Sequence, residues 1–535
     1  MGLDDGEFRL RVIARRWEME PAGPRSLVWR ICQTALSALC LLFLQATLAW
    51  ADETWNQFRG PNGSGVTIQA APPIDVTAER LAWSTNVPRG KSSPIVVGER
   101  LFLTAAADGR LVTLSLDAQT GAICWQREAP VEAVPTQHPA GCPAAPTPCA
   151  DAQGVYVYFP AFGLLAYDHD GVELWRKPLP LPENMYGVST SPILHDSCVI
   201  LVLDDDANLP DSSLSRSRIL AVDKRTGETK WETPRPFNRG VWTTPMIWTH
   251  AHGQDLVVLG DRRAYGYDPQ TGEEKWFVSG FAREPIAVPI AGNGHLFLSV
   301  AMQGGRGDAE IDPEPFWQAV LNFDQDGDGK VARTEISRHF TVPFRPELPT
   351  DHPGFGYPLP QDPDARLALQ QRLFDWRDTN RDGVWDKEEF TAELKVGGGR
   401  PGLTAIRPGG SGDISQSHAA WTVRSGIPEI PSPIYFENHL YLIRDGGVLT
   451  CVNASDGSVA FRERLAAGGQ YEASPLVAKR HLFVVSSAGQ LTVLQTTQPP
   501  QVVHESQLPG PVAATPAIAG DTIFFRTETQ VLAYR

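Results

Sequence analysis

Short apolar runs closed by turns containing Asp, Asn and Gly dominate this chain, the pattern of β-strands joined by tight hairpins. One unit recurs as "LSLDAQTGAICW" ending at Trp125, "LLAYDHDGVELW" at Trp175, "LAVDKRTGETKW" at Trp231 and "YGYDPQTGEEKW" at Trp276, with a weaker copy, "TCVNASDGSVAF", ending at Phe461. The Gly in each takes the positive φ that a short antiparallel loop needs. A second unit, a proline followed by an apolar pair, a turn and a β-rich run, begins at Pro94, Pro148, Pro192, Pro245, Pro289, Pro433, Pro475 and Pro516. Most of these spacings lie near the roughly 40–45 residues of a four-stranded blade, which predicts an all-β, eight-bladed propeller. "RLAWSTNV" around Trp83 reads as a lone outer strand and "TQVLAYR" at the end of the chain as a strand lacking its partner. Pairing the two would close the ring and remove an open sheet edge. The aromatic ending each unit is expected to pack between blades and to touch no ligand.

The interval from Pro289 to Pro433 is far too long for one blade, and the excess falls between neighbouring strands. It holds "DQDGDGKVARTE" and "DTNRDGVWDKEE", each matching the twelve-position loop that wraps a calcium ion. In the first, Asp324, Asp326, Asp328, the Lys330 carbonyl and Glu335 are the candidate ligands. In the second they are Asp378, Asn380, Asp382, the Val384 carbonyl, Asp386 and Glu389. Gly329 and Gly383 stand at the sixth position, and Val331 and Trp385 at the eighth, where paired loops share a short β-contact. "EPFWQAVLNF", "RTEISRHF", "ARLALQQRLFDW" and "KEEFTAELKV" flank the loops with helical spacing. The expected organisation is therefore a signal peptide over 1–51, propeller over 52–302, an inserted EF-hand pair over 303–402, and propeller over 403–535. The insertion lacks the Met-rich groove of a calcium sensor, so two structural calcium ions are expected.

Charge and chemistry narrow the function only by exclusion. A formal net charge of −15, with no Lys/Arg cluster, argues against nucleic acid as a partner. Arg25 and Arg30, the apolar run "ALSALCLLFLQATLAW" and Ala49-Trp50-Ala51 follow the order of a cleaved secretory signal, predicting export to the periplasm or beyond and no transmembrane helix afterwards. Five cysteines lie beyond it. Cys142 and Cys149 could form a local disulfide, while Cys124 and Cys451, in strand repeats, are expected to be buried apolar residues. No His or Ser constellation marks a catalytic site, so no catalytic residue is assigned.

"WNQFRGPNGSG" (Trp55 to Gly65), "SSPIVVGERLFLT", the Asp-x-x-Thr-Gly-x-x-x-Trp hairpins and "LTAIRPGGSGDIS" resemble the secreted PQQ-like, BamB-like β-propeller repeat proteins of planctomycete type, some of which carry an EF-hand pair in one blade. The resemblance implies the same fold and leaves function open. It suggests a non-catalytic binding or scaffold module for a protein or polysaccharide partner. The alternative it implies is an oxidoreductase dependent on pyrroloquinoline quinone (PQQ). This chain lacks the adjacent cysteine pair of the quinoprotein alcohol dehydrogenases, and Asp52 stands where a lipoprotein would place its acylated cysteine.

Overall fold

The computed structural model describes residues 54–535, apart from 136–137, 139, 185, 206–215, 236–237, 239–240, 283, 302–312, 344–345, 347–348, 352–354, 357–358 and 397–399. The expected signal peptide and the amino-terminal seam of the insertion lie outside the described residues.

Eight antiparallel sheets of four main strands each follow one another in chain order. Blade 1 comprises Ile95–Val97, Arg100–Ala107, Arg110–Asp117 and Ile123–Glu128. Blades 2, 3 and 4 run from Cys149–Asp151 to Glu173–Pro178, from Ile193–His195 to Thr229–Pro234, and from Met246–His250 to Glu274–Ser279. Blade 5 is Ile290–Gly292, His295–Val300, Gly402–Ile406 and Ala419–Val423. Blades 6 and 7 run from Ile434–Phe436 to Val459–Arg464 and from Leu476–Ala478 to Gln501–Gln507. Blade 8 joins Ala517–Ala519, Thr522–Arg526 and Gln530–Tyr534 to Leu81–Asn86, with Trp83 opposite Ala533. The ring is thus closed by the amino-terminal strand, as the sequence predicts.

Burial explains the hydropathy pattern. In blade 1 the three-residue first strand and most of the next two are buried, because neighbouring blades cover both faces. Such strands read as continuous apolar runs. The fourth strand lies outermost and buries only Trp125. First strands of adjacent blades touch one another and so line the axis.

The outer tryptophans lock blade to blade. Trp83, Trp125, Trp175 and Trp421 donate through Nε1 to the carbonyls of Ala118, His169, Lys224 and Ala454 in the next blade. Each indole lies over the hairpin glycine there: a Cβ on Gly171, Gly227 or Gly457 would meet the ring at 2.7 Å. These glycines also hold φ of 81°, 73° and 76°, so the turn and the packing both exclude a side chain. Trp276 departs from the rule. Its Nε1 donates within its own blade to Asp255 (2.7 Å), and Gly412–Asp413 of the following blade pairs alongside Trp276 and Phe277 as a fifth, parallel strand.

Between the second and third strands of blade 5 stands a small helical unit: α1 (Pro313–Val320), α2 (Pro363–Arg377) and α3 (Lys387–Val396). The segment after the first loop, expected to be helical, forms only a 3-10 turn at Arg333–Glu335. Past that turn Phe340 and Val342 enter the unit's own apolar core, which an exposed helical turn would not allow them to reach.

Two cysteine expectations change. Cys124 is exposed on the outermost strand, where Arg100 donates to its sulfur at 2.6 Å, so strand membership did not imply burial. Cys142 and Cys149 are both free thiols.

Candidate functional site

Each blade begins just after a proline, and the residue before that proline turns towards the axis. It is Ser or Thr in every copy except Val288 of blade 5. The hydroxyls of Thr147, Ser191 and Thr244 accept the backbone N–H of the corresponding residue one blade earlier, at 2.9, 3.0 and 3.1 Å. Those of Ser432, Ser474 and Thr515 do the same for Val288, Ser432 and Ser474, each at 3.0 Å. A belt of inter-blade hydrogen bonds thereby surrounds most of the axis; it is interrupted at Val288, whose side chain faces Gly63 instead, and none is seen among the described residues between Thr515 and Ser93, where the ring closes.

Below this belt the axis is plugged. Trp55 exchanges backbone hydrogen bonds with Val96 of blade 1 (2.8 and 2.9 Å), and the Asn56 carbonyl accepts from Ala150 of blade 2. Asn62 pairs with both backbone groups of Ile247 in blade 4 (2.7 and 3.0 Å). Arg59 donates to the Pro433 carbonyl at the start of blade 6 (2.7 Å), and the Gly65 carbonyl accepts from Val477 of blade 7. One short segment therefore crosses between first strands on opposite sides of the ring. Burial pushes the Arg59 guanidinium down to about 9.

Above the belt lies a funnel enclosing about 210 Å³. The plug contributes Phe58 to its lining, and the blade-to-blade connections contribute Lys91, Cys142, Tyr186, Trp242 and Glu472. Lys91 and Glu472 form an ion pair at 3.0 Å. Trp242 is pinned by its Nε1, which donates to the Gly187 carbonyl (2.7 Å) and Asn184 (3.2 Å), and Tyr186 stands 5.7 Å from it. Glu429, beside the funnel-lining Ile430, is pushed up to about 7 by burial and then by Asp445 and Glu284. Four antiparallel strands per blade place the second-to-third connections at the same end as the blade-to-blade connections. The inserted helices of blade 5 therefore leave from the funnel end.

A PQQ–calcium pair needs several anionic oxygens converging on one ion. Among the described residues lining the funnel Glu472 is the one carboxylate, and it is tied to Lys91. These residues do not fit that pair.

The inserted unit brings acidic side chains together in two places. Carboxylate oxygens of Asp324, Asp326 and Asp328 lie within 4.8 Å of one another, as do those of Asp378, Asp382 and Glu389. Glu335 stays outside the first trio, its oxygens accepting the N–H groups of Gln325 (2.6 Å), Asp326 (3.2 Å) and Ala332 (2.7 Å). Lys330 donates its N–H to Asp328 and Val384 its own to Asp382. Asn380 bonds Asp382 through its amide (3.2 Å), and Asp386 accepts from the Glu389 N–H (2.8 Å). Asp378 Oδ2 accepts from Gly383 (3.0 Å), while its Oδ1 is buried and accepts nothing among the described residues. A buried, unsatisfied carboxylate oxygen facing two more carboxylates fits a hard divalent cation. Val331 and Trp385 pair across the two loops in antiparallel register.

Elsewhere, His250 and Asp255 (3.0 Å) form a buried cluster with Lys275 and Trp276, and Arg235 forks onto Asp204 (2.9 and 3.0 Å) with both side chains fully buried. Both are closed on themselves and structural. Sequence reading passed over the hydroxyl belt and the plug, although the Ser/Thr before each repeat proline was a visible signal.

A family model described as outer membrane protein assembly factor BamB matches residues 73–203 and 404–535. Solved structures similar to the chain include quinohemoprotein alcohol dehydrogenase from Comamonas testosteroni, at 13% identity and a TM-score of 0.52, covering 92% of this chain and 82% of that one. They also include BamB from Moraxella catarrhalis, at 11% identity and a TM-score of 0.47, covering 85% and 98%. No curated protein matches the sequence. At such identity the Comamonas likeness establishes the fold alone.

Proposed function

We propose that this eight-bladed β-propeller, parts of which match the BamB family model, acts as an exported, non-catalytic binding module for a protein or polysaccharide partner. The observation that carries this reading is the funnel: a preformed cavity lined by hydroxyls and fixed aromatics, in which the carboxylate and the amine neutralise each other. Such a lining offers hydrogen bonds and contact area, and its one thiol, Cys142, has no paired base among the described lining residues. Export is supported by the amino-terminal signal pattern and by the company the fold keeps. No helix among the described residues is long and apolar enough to cross a membrane.

The inserted unit acts as a calcium-stapled appendage with two sites. The first is made by Asp324, Asp326, Asp328, the Lys330 carbonyl and Glu335, the second by Asp378, Asn380, Asp382, the Val384 carbonyl, Asp386 and Glu389. A staple is favoured over a sensor because Phe340, Val342 and Phe355 of the connector fill the core between the helices that a sensor would open. Calorimetry on the purified protein should give two calcium sites, abolished by Glu335→Ala with Glu389→Ala; absence of binding heat in the unmodified protein rejects the appendage reading. Incubation with PQQ and calcium should give neither a stoichiometric complex nor dye-linked alcohol oxidation. Turnover in that assay rejects the non-catalytic reading in favour of a quinoprotein oxidoreductase.

A further inference from the structure

The belt hydroxyls set what the funnel can hold. A hydroxyl carries one donor proton and two acceptor lone pairs. Thr147, Ser191, Thr244, Ser432, Ser474 and Thr515 each spend one lone pair on a neighbouring blade's N–H. Among the described residues only Ser191 also has an acceptor for its proton, the Ser189 carbonyl at 3.5 Å. The funnel floor is therefore a ring of hydroxyl donors whose protons are available to a ligand's acceptors.

The walls add a flat apolar surface of fixed orientation. Trp242 cannot rotate without losing its two hydrogen bonds, Tyr186 tilts against it, and His138 meets Tyr186 edge-on at 4.9 Å. Charge decides between the acceptor-rich ligands that could fill such a site. Asp445 and Glu284 both act on Glu429 beside the funnel, Tyr186 feels Glu284 and Glu429, and the chain carries a formal net charge of −15. An anion entering here is disfavoured by these carboxyl groups and by the net charge. A neutral polyol is not, and a sugar ring presents both faces this cavity asks for: C–H bonds for the aromatic wall and oxygens for the donor floor. At about 210 Å³ the cavity is smaller than the roughly 300–1,000 Å³ of pockets for drug-sized ligands, and so takes a single ring.

We propose that the axial funnel binds the terminal residue of a neutral oligosaccharide, with Trp242 and Tyr186 as the stacking wall and the belt hydroxyls as donors. The assignment rests on the binding-module reading and names its ligand. An array of neutral and acidic oligosaccharides, probed with the labelled protein in calcium buffer, should retain it on neutral glycans. Titration of the best of these, followed by tryptophan fluorescence, should weaken at least tenfold in Trp242→Ala. Tyr186→Ala, at the half-buried rim, should weaken it severalfold without disturbing the Trp242 hydrogen bonds, with the melting curve reporting an intact fold. Retention on acidic glycans only, no retention on any neutral glycan, or unchanged affinity in a folded Tyr186→Ala protein overturns the proposal. Those outcomes leave the module reading standing if the quinone assay stays silent, whereas dye-linked turnover would sink the module reading itself.

Discussion

The propeller and the unit inserted in blade 5 both rely on buried aromatic rings, but they use them differently. In the propeller the outer indoles each serve one boundary, Trp276 excepted: Trp125 reaches the turn at Gly171, Trp175 the turn at Gly227, and Trp421 the turn at Gly457. The apolar core is likewise divided into clusters between adjacent sheets. In the insertion Trp317, Phe340, Phe374, Trp385 and Phe390 converge into one cluster, with Trp385 stacked on Phe374 at 5.0 Å. Repetition lets the propeller distribute its stability over many equal contacts closed into a ring. The insertion has one small core, and two groups of carboxylates whose mutual repulsion works against it unless, as proposed, a cation neutralises them.

This contrast is most sharply broken at a propeller boundary. Gly227→Ala places a Cβ 2.7 Å from Trp175 at a φ of 73°. Strain and overpacking together should cost about 2–5 kcal/mol, read as a fall in the main thermal transition with calcium affinity unchanged. A shift in calcium affinity would mean that the two regions do not melt independently. Calcium removal probes the other side. Chelation should withdraw about 2.7 kcal/mol per site, if calcium was held at a hundredfold excess over Kd, from a minor transition while leaving the main one in place. A single transition moving as a whole would contradict separate cores.

Smaller effects test the belt and the funnel mouth. Ser474→Ala removes the acceptor for the Ser432 N–H and should cost about 1 kcal/mol by denaturant titration. An effect near zero would mean that the belt orients hydroxyls without holding blades. Burial, then Asp445 and Glu284, raise Glu429 to about 7 in the folded chain. The folded state therefore retains a proton that the unfolded state releases near pH 4.3, so stability falls as pH rises from there through about 7. Glu429→Gln should flatten the decline of melting temperature over that window; an unchanged slope would place its origin elsewhere.

Much of this was legible in the chain itself. Repeats ending in Trp125, Trp175 and Trp231 announce blades because a strand buried on both faces must be continuously apolar while an outer strand needs only one ring. The position of the insertion follows from a broken interval between prolines. The helix expected at "RTEISRHF" failed because spacing cannot register that Phe340 is needed in a core assembled from distant segments. Cys124 misled for a similar reason: alternation identifies the strand, but only its place in the sheet says which face is covered.

The sequence alone determined the repeat, the blade number and the closing strand, since these depend on local periodicity and spacing. Only the tertiary structure decided what occupies the axis. Trp55 to Gly65 lies far in sequence from Ile247, Pro433 and Val477, and no local rule predicts that it will bridge them. The funnel above it likewise exists only once the ring has closed, because each hydroxyl takes its direction from a backbone N–H in the neighbouring blade.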